Sequence, residues 1–103
     1  MEIVFATFES ELEHDAIEET MRQRAKQFRA VDGLVQKYFV HDRERDRYGA
    51  CFIFDSEESR DAYFASDLSA GVGAAYAVKG EPAVTNAHLL FPLRETEGLP
   101  ETA

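Results

Sequence analysis

Apolar residues fall into four short runs and two helical stripes, separated by charged or turn-forming links. Residues 34–40 and 48–54 are rich in β-branched and aromatic side chains, and the very polar link Asp42-Arg43-Glu44-Arg45-Asp46-Arg47 joins them. That pattern predicts a hairpin in the middle of a sheet. Residues 2–8 alternate as a first strand, with Ile3, Phe5 and Thr7 on one face and Val4, Ala6 and Phe8 on the other. In the second strand Leu34, Gln36, Tyr38 and Val40 share a face, opposite Val35, Lys37, Phe39 and His41. In the third, Tyr48, Ala50, Phe52 and Phe54 oppose Gly49, Cys51, Ile53 and Asp55. The Gly49-Ala50 pair offers little side chain, so a close approach to the backbone is expected there.

Between the first two strands, Ile17, Met21, Ala25 and Phe28 recur at helical spacing. Asp15 with Glu18 has capping-box spacing, Ser10 with Glu13 offers the same one turn earlier, and the helix is expected to run to about Ala30. Asp32-Gly33 breaks it, Gly33 being suited to a positive φ. Asp55 or Ser56 caps a second helix, whose Ser59, Ala62, Tyr63 and Ser66 line one side. Residues 68–76 are small and glycine-rich, a short helix followed by loop, and lack the Lys-Ser/Thr of a phosphate loop. Gly80-Glu81-Pro82 reads as a turn or strand edge. Residues 83–91 form the last strand, with Val84, Asn86, His88 and Leu90 on one face, and residues 95–103 a flexible acidic tail.

The order β-α-β-β-α-β in a single domain over residues 1–103 is the ferredoxin-like pattern of the α+β class, a four-stranded antiparallel sheet with helices on one face. Such a monomer leaves its second sheet face wet, yet every strand here is apolar on both faces. Packing two sheets face to face in a homodimer resolves this.

Composition narrows the partners. The net charge of −9, from 20 acids against 11 bases, repels phosphate backbones and excludes nucleic acid. Only Lys26, Lys37 and Lys79 are lysines, and an acid-rich, lysine-poor surface suits a high-salt, halophilic cytoplasm, where screening removes the repulsion. No apolar run approaches the ~18–20 residues of a membrane span and no signal peptide precedes the first strand, so a cytoplasmic, membrane-free protein is expected. The single cysteine, Cys51, sits in a strand without an adjacent His or cation and reads as a small buried hydrophobe. His14, His41, His88 and Cys51 show no close ligand spacing, so no metal site is expected.

The run Phe28-Arg29-Ala30-Val31-Asp32-Gly33-Leu34-Val35-Gln36-Lys37-Tyr38-Phe39, then Tyr48-Gly49-Ala50-Cys51-Phe52-Ile53-Phe54-Asp55-Ser56, then Arg60-Asp61-Ala62-Tyr63 resembles the dimeric α+β-barrel superfamily. Within it, the chain resembles the YdhR-like putative monooxygenase branch, related to antibiotic-biosynthesis monooxygenases. The shared pattern is a small-residue turn ending in Gly-Leu, a Lys-aromatic pair in strand two, and small residues opening strand three. Here Asp32 and Ala50 replace a Pro and a Gly common in members. The resemblance spans residues 3–91 and rests on motifs of fold more than of chemistry. It implies a homodimeric barrel with a ligand pocket between sheet and helices in each protomer, and oxidation of aromatic polyketides without flavin, metal or other cofactor.

Such chemistry needs a base or donor that generates a substrate carbanion or phenolate. On that resemblance Lys37 or His88 is the base or anion stabiliser, Tyr38 and Tyr63 are hydrogen-bond donors, and Met21, Phe28, Phe52 and Tyr76 hold the ligand. Each has a plainer role. Tyr38 and Tyr63 fit core aromatics with bonded hydroxyls, Lys37 a snorkelling strand lysine, and His88 a satisfied core histidine, the histidine most expected to be buried. His41, beside the hairpin loop, and His14 read as solvated. Haem-degrading relatives use an Asn, Trp and His set, and the absence of Trp argues against that activity. The resemblance thus implies a cofactor-independent monooxygenase for a small aromatic or polyketide-like substrate. The alternatives are a non-catalytic, stress-related or small-molecule-binding dimeric module for a small apolar or aromatic ligand, and a purely structural dimer.

Overall fold

The computed structural model describes residues 1–95. In chain order the elements are β1 (Glu2–Ser10), α1 (His14–Phe28), β2 (Leu34–Asp42), β3 (Arg47–Phe54), α2 (Glu57–Phe64), α3 (Asp67–Ala70), α4 (Val72–Ala75) and β4 (Val78–His88). The strands form one antiparallel sheet in the order β2-β3-β1-β4, with the hairpin β2-β3 at one side and β1 central. This is the expected ferredoxin-like order, with the glycine-rich stretch folded as two short helices, α3 and α4, before β4. The expected flexible tail lies almost wholly outside the described residues.

One face of the sheet carries Val4, Ala6 and Phe8 of β1 and Tyr48, Ala50, Phe52 and Phe54 of β3, and the helices bury it. Phe28 of α1 and Tyr63 of α2 pack on Val4, Phe52 and Phe54 in one cluster. Ile17 and Met21 of α1 and Tyr76 pack on Phe8 and Tyr48 in a second. Ser56 accepts a hydrogen bond from the Ser59 amide and so caps α2 as foreseen.

Three local expectations are corrected. Neither Asp15 nor Ser10 caps α1; the N-cap is Glu13, without a side-chain bond. The Ser10 hydroxyl instead donates to the Tyr76 carbonyl and accepts from the Leu12 amide, tying the end of β1 to the segment that enters β4. In β2 the register slips between Leu34 and Gln36, a bulge at Val35. Leu34 therefore turns to the helix side and packs against the core, whereas Gln36, Tyr38 and Val40 stay on the open face. Finally, β4 starts at Val78, not at 83. It accommodates Gly80-Glu81-Pro82 through a register shift opposite Thr7 and Glu9, with Gly80 at φ +66°. As an edge strand, β4 tolerates a proline that cannot donate to the ladder.

Gly33, at φ +78°, makes the turn from α1 into β2. Gly49 meets the expected close approach: a β-carbon there would lie 1.8 Å from the Ala6 carbonyl oxygen of β1. The middle of the far face is open among the described residues, while Thr7 and Ile53 on that face are buried. Across it run Tyr38, Cys51, Phe5 and Thr85 in register, with Tyr38 50% and Phe5 44% exposed. No helix among the described residues is long and apolar enough to cross a membrane.

Candidate functional site

The two core clusters do not meet completely, and the seam between them is a cavity of about 230 Å³. Phe28, Phe52 and Tyr63 wall it from one cluster, and Phe8, Met21 and Tyr76 from the other. The sheet floor is Ala6, Gly49 and Ala50, so small residues in β1 and β3 leave the space that larger ones would fill. Pro82 and Val84 of the exposed edge strand line its outer rim.

Lys37 enters this cavity from β2. Its Nζ lies 3.1 Å from the ring centroid of Phe28, 4.4 Å from that of Phe39 and 4.7 Å from that of Phe52. The rings attract the cation through their quadrupoles, yet burial removes it from water and the Arg24 guanidinium repels it. Burial first, and then the Arg24 charge, lower its pKa to about 7. At neutral pH the side chain is therefore divided between ammonium and free amine. No Asp or Glu is part of the cavity wall among the described residues.

Arg24 lies beside the cavity, on the α1 turn between Met21 and Phe28. Its Nη2 donates to the Leu68 carbonyl at 2.9 Å, and its guanidinium carbon sits 5.8 Å from the ring centroids of both Phe28 and Tyr76. Its Nε is buried without a partner among the described residues. Burial raises the pKa of both Tyr63 and Tyr76, so their hydroxyls remain protonated donors at neutral pH.

Of the residues singled out from the sequence, Lys37, Tyr63, Met21, Phe28, Phe52 and Tyr76 converge on this cavity. Tyr38 and His88 do not. Tyr38 projects from the opposite sheet face, because neighbours in a strand alternate sides. His88 ends β4, its side chain 69% exposed rather than buried, and its Nδ1 bonds a Glu2 carboxylate that also holds Arg60 at 3.0 Å. Glu2, Glu57 and His88 place three potential ligand atoms within 4.8 Å of one another, but the Glu2 carboxylate is already engaged by Arg60 and His88. Arg24 and Phe39 were missed. Arg24 carried a signal, since it stands three residues after Met21 and four before Phe28 and so borders the apolar stripe of α1.

A second, more polar cleft of about 330 Å³ opens between α1 and the hairpin. There the His41 ring stacks on Tyr48 at 4.0 Å, and His14, although exposed, places Nδ1 2.9 Å from the Tyr48 hydroxyl. These contacts brace the hairpin against the start of α1.

Comparison with known proteins agrees with this architecture. The family model described as putative mono-oxygenase ydhR matches residues 3–80. No curated protein matches the sequence. Among solved structures, a protein of unknown function from Nitrosomonas europaea superposes with a TM-score of 0.76 at 16% identity, over 92% of this chain and 94% of that one. A putative antibiotic biosynthesis monooxygenase from Deinococcus radiodurans gives 0.72 at 16%, over 93% and 99%. A variant of SnoaB, a cofactor-independent oxygenase from Streptomyces nogalater, gives 0.70 at 18%, over 91% and 98%. At these identities the likeness is one of fold.

Proposed function

The chain belongs to the ydhR family of putative mono-oxygenases, and from that membership we propose a cofactor-independent monooxygenase acting on a small aromatic or polyketide-like substrate in the 230 Å³ cavity. The observation that carries this reading is the Lys37 amine, held in an aromatic cavity at a pKa of about 7 with no carboxylate in the wall. A base poised near neutral pH can both take and return a proton. The substrate's acidified C–H gives its proton to neutral Lys37, leaving a carbanion delocalised over the ring system. The carbanion reduces dioxygen and a carbon–oxygen bond forms. Protonation by the Lys37 ammonium gives a hydroperoxide, which loses water to leave a carbonyl. Substrate and oxygen supply all the electrons, so the sequence consumes no other reductant.

Tyr63 and Tyr76 are the hydroxyl donors of this reading, and Met21, Phe28 and Phe52 hold the ring. Tyr38 and His88 have no part in it, given their positions. The protein is further proposed to act as a homodimer through the open sheet face, where Phe5 and Tyr38 stand exposed.

Oxygen uptake with anthrone and naphthoquinol substrates tests the proposal. Wild-type protein should consume oxygen, and Lys37→Met should lose roughly 10²-fold or more of the rate. Uptake unchanged in Lys37→Met, or none across the panel, would discard it. Anthrone that raises the melting temperature without oxygen uptake would identify a binding module instead.

A further inference from the structure

Resting on the reading of the cavity as the ligand site, we propose that Lys37 is also a nucleophile that captures small aromatic aldehydes and ketones as imines at Nζ. An amine serves this role when an apolar pocket desolvates it or a neighbouring cation disfavours its protonation. Lys37 has both. Phe28, Phe39 and Phe52 surround its Nζ within 4.7 Å, and Arg24 is the nearby cation on α1. The usual obstacle is a carboxylate that pins the ammonium, and none takes part here: among the described residues Lys37 makes no ion pair and no acid lines the cavity. The other titratable groups facing the cavity are the hydroxyls of Tyr63 from α2 and Tyr76 after α4, both protonated at neutral pH.

The step needs no redox partner. Neutral Nζ adds to the carbonyl carbon, forming a C–N bond, and a proton moves from nitrogen to oxygen to give the carbinolamine. The C–O bond then breaks, water leaves, and the C=N bond remains. An aromatic carbonyl compound suits the site because its ring can occupy the space among the phenylalanines while its polar end reaches the amine. Lys26 and Lys79 are exposed, in contact with water rather than with an aromatic cage, and serve as internal controls.

Wild-type protein is incubated with benzaldehyde and sodium cyanoborohydride near neutral pH, digested, and mapped for benzylated amines. The hydride reagent reduces each imine to a stable secondary amine. Lys37 should be labelled at least roughly tenfold faster than Lys26 or Lys79, because far more of it is unprotonated. Naphthalene, which offers the cavity a ring but no carbonyl, should slow labelling at Lys37 and leave that at Lys26 and Lys79 unaffected. Labelling of Lys37 no faster than of the two exposed lysines would overturn the proposal. The outcome is separable from the oxygenase reading. A Lys37 adduct without oxygen uptake leaves imine capture standing alone. Lys37-dependent oxygen uptake without an adduct keeps the base and removes the nucleophile.

Discussion

Lys37 ties stability to pH in a direction opposite to that of a paired lysine, whose pKa folding raises. Its pKa falls from 10.5 in the ordinary state to about 7 in the folded one. Between those values the unfolded chain binds more protons than the native one, so stability rises with pH, by up to about 1.4 kcal/mol per unit. Below about pH 7 the full penalty of burying the ammonium applies. Cys51, Tyr63 and Tyr76, raised by burial, oppose the trend once they titrate, which leaves about pH 7–9 as the clear window. Urea unfolding at pH 7 and at pH 9 should show wild type gaining stability relative to Lys37→Met, and a parallel response of the two proteins would refute the assignment. Glycines give a second contrast at this scale. Gly49→Ala would drive a methyl into the Ala6 carbonyl and should cost about 3 kcal/mol, near the top of the usual overpacking range. Gly73→Ala, in α4 where an added β-carbon meets nothing within 4 Å among the described residues beyond its chain neighbours and its own helix backbone, should be neutral or gain up to about 1 kcal/mol. Thermal unfolding of the pair checks both signs.

Elements were legible where a period was sustained and obscure where a single side chain or an extra residue decided. The stripe Ile17, Met21 and Phe28 placed α1, and alternation placed β3 on the correct parity throughout. The β2 bulge was hidden because Leu34 and Val35 are both apolar, so the pattern fits either face, and only packing against Phe54 and its neighbours selects one. The early start of β4 was obscured by Gly80 and Pro82, which normally punctuate a strand but are tolerated at an edge. The same logic explains most of the site: of the six residues that lie together, Lys37 and Phe52 share the helix-facing parity, Met21, Phe28 and Tyr63 the inner faces of α1 and α2, and Tyr76 follows α4. Tyr38 was chosen for its chemistry against its parity. His88 was read as central in a strand that in fact ends there. Capping was ambiguous for a related reason, since Asp, Ser and Glu crowd residues 10–15 while Ser56 has fewer rivals. Ser56→Ala, which removes the bond to the Ser59 amide, should cost about 1 kcal/mol in urea unfolding, and no loss would show that the cap is dispensable.

At the scale of the molecule the question is what covers the open sheet face. A row of Tyr38, Cys51, Phe5 and Thr85 crosses all four strands, bordered by Val40 and Ile3, and no segment among the described residues packs over it. A chain that leaves such a surface in water loses the hydrophobic free energy of its burial, on the order of 25 cal/mol for each Å². A second copy is self-complementary to it, since an isologous interface sets the same apolar row against itself. Net charge works the other way: two chains of −9 each repel, and salt relieves that repulsion while strengthening apolar association. The proposed homodimer should therefore tighten as salt rises, the reverse of an interface held by ion pairs. Sedimentation at low and high sodium chloride should find wild type shifting toward dimer with salt. Phe5→Glu, which adds a charge at the centre of the row, should remain monomeric in both while keeping a native circular dichroism spectrum. A folded wild-type monomer at every salt concentration would mean that the sheet stays open, and the cavity would then have to work within a single chain.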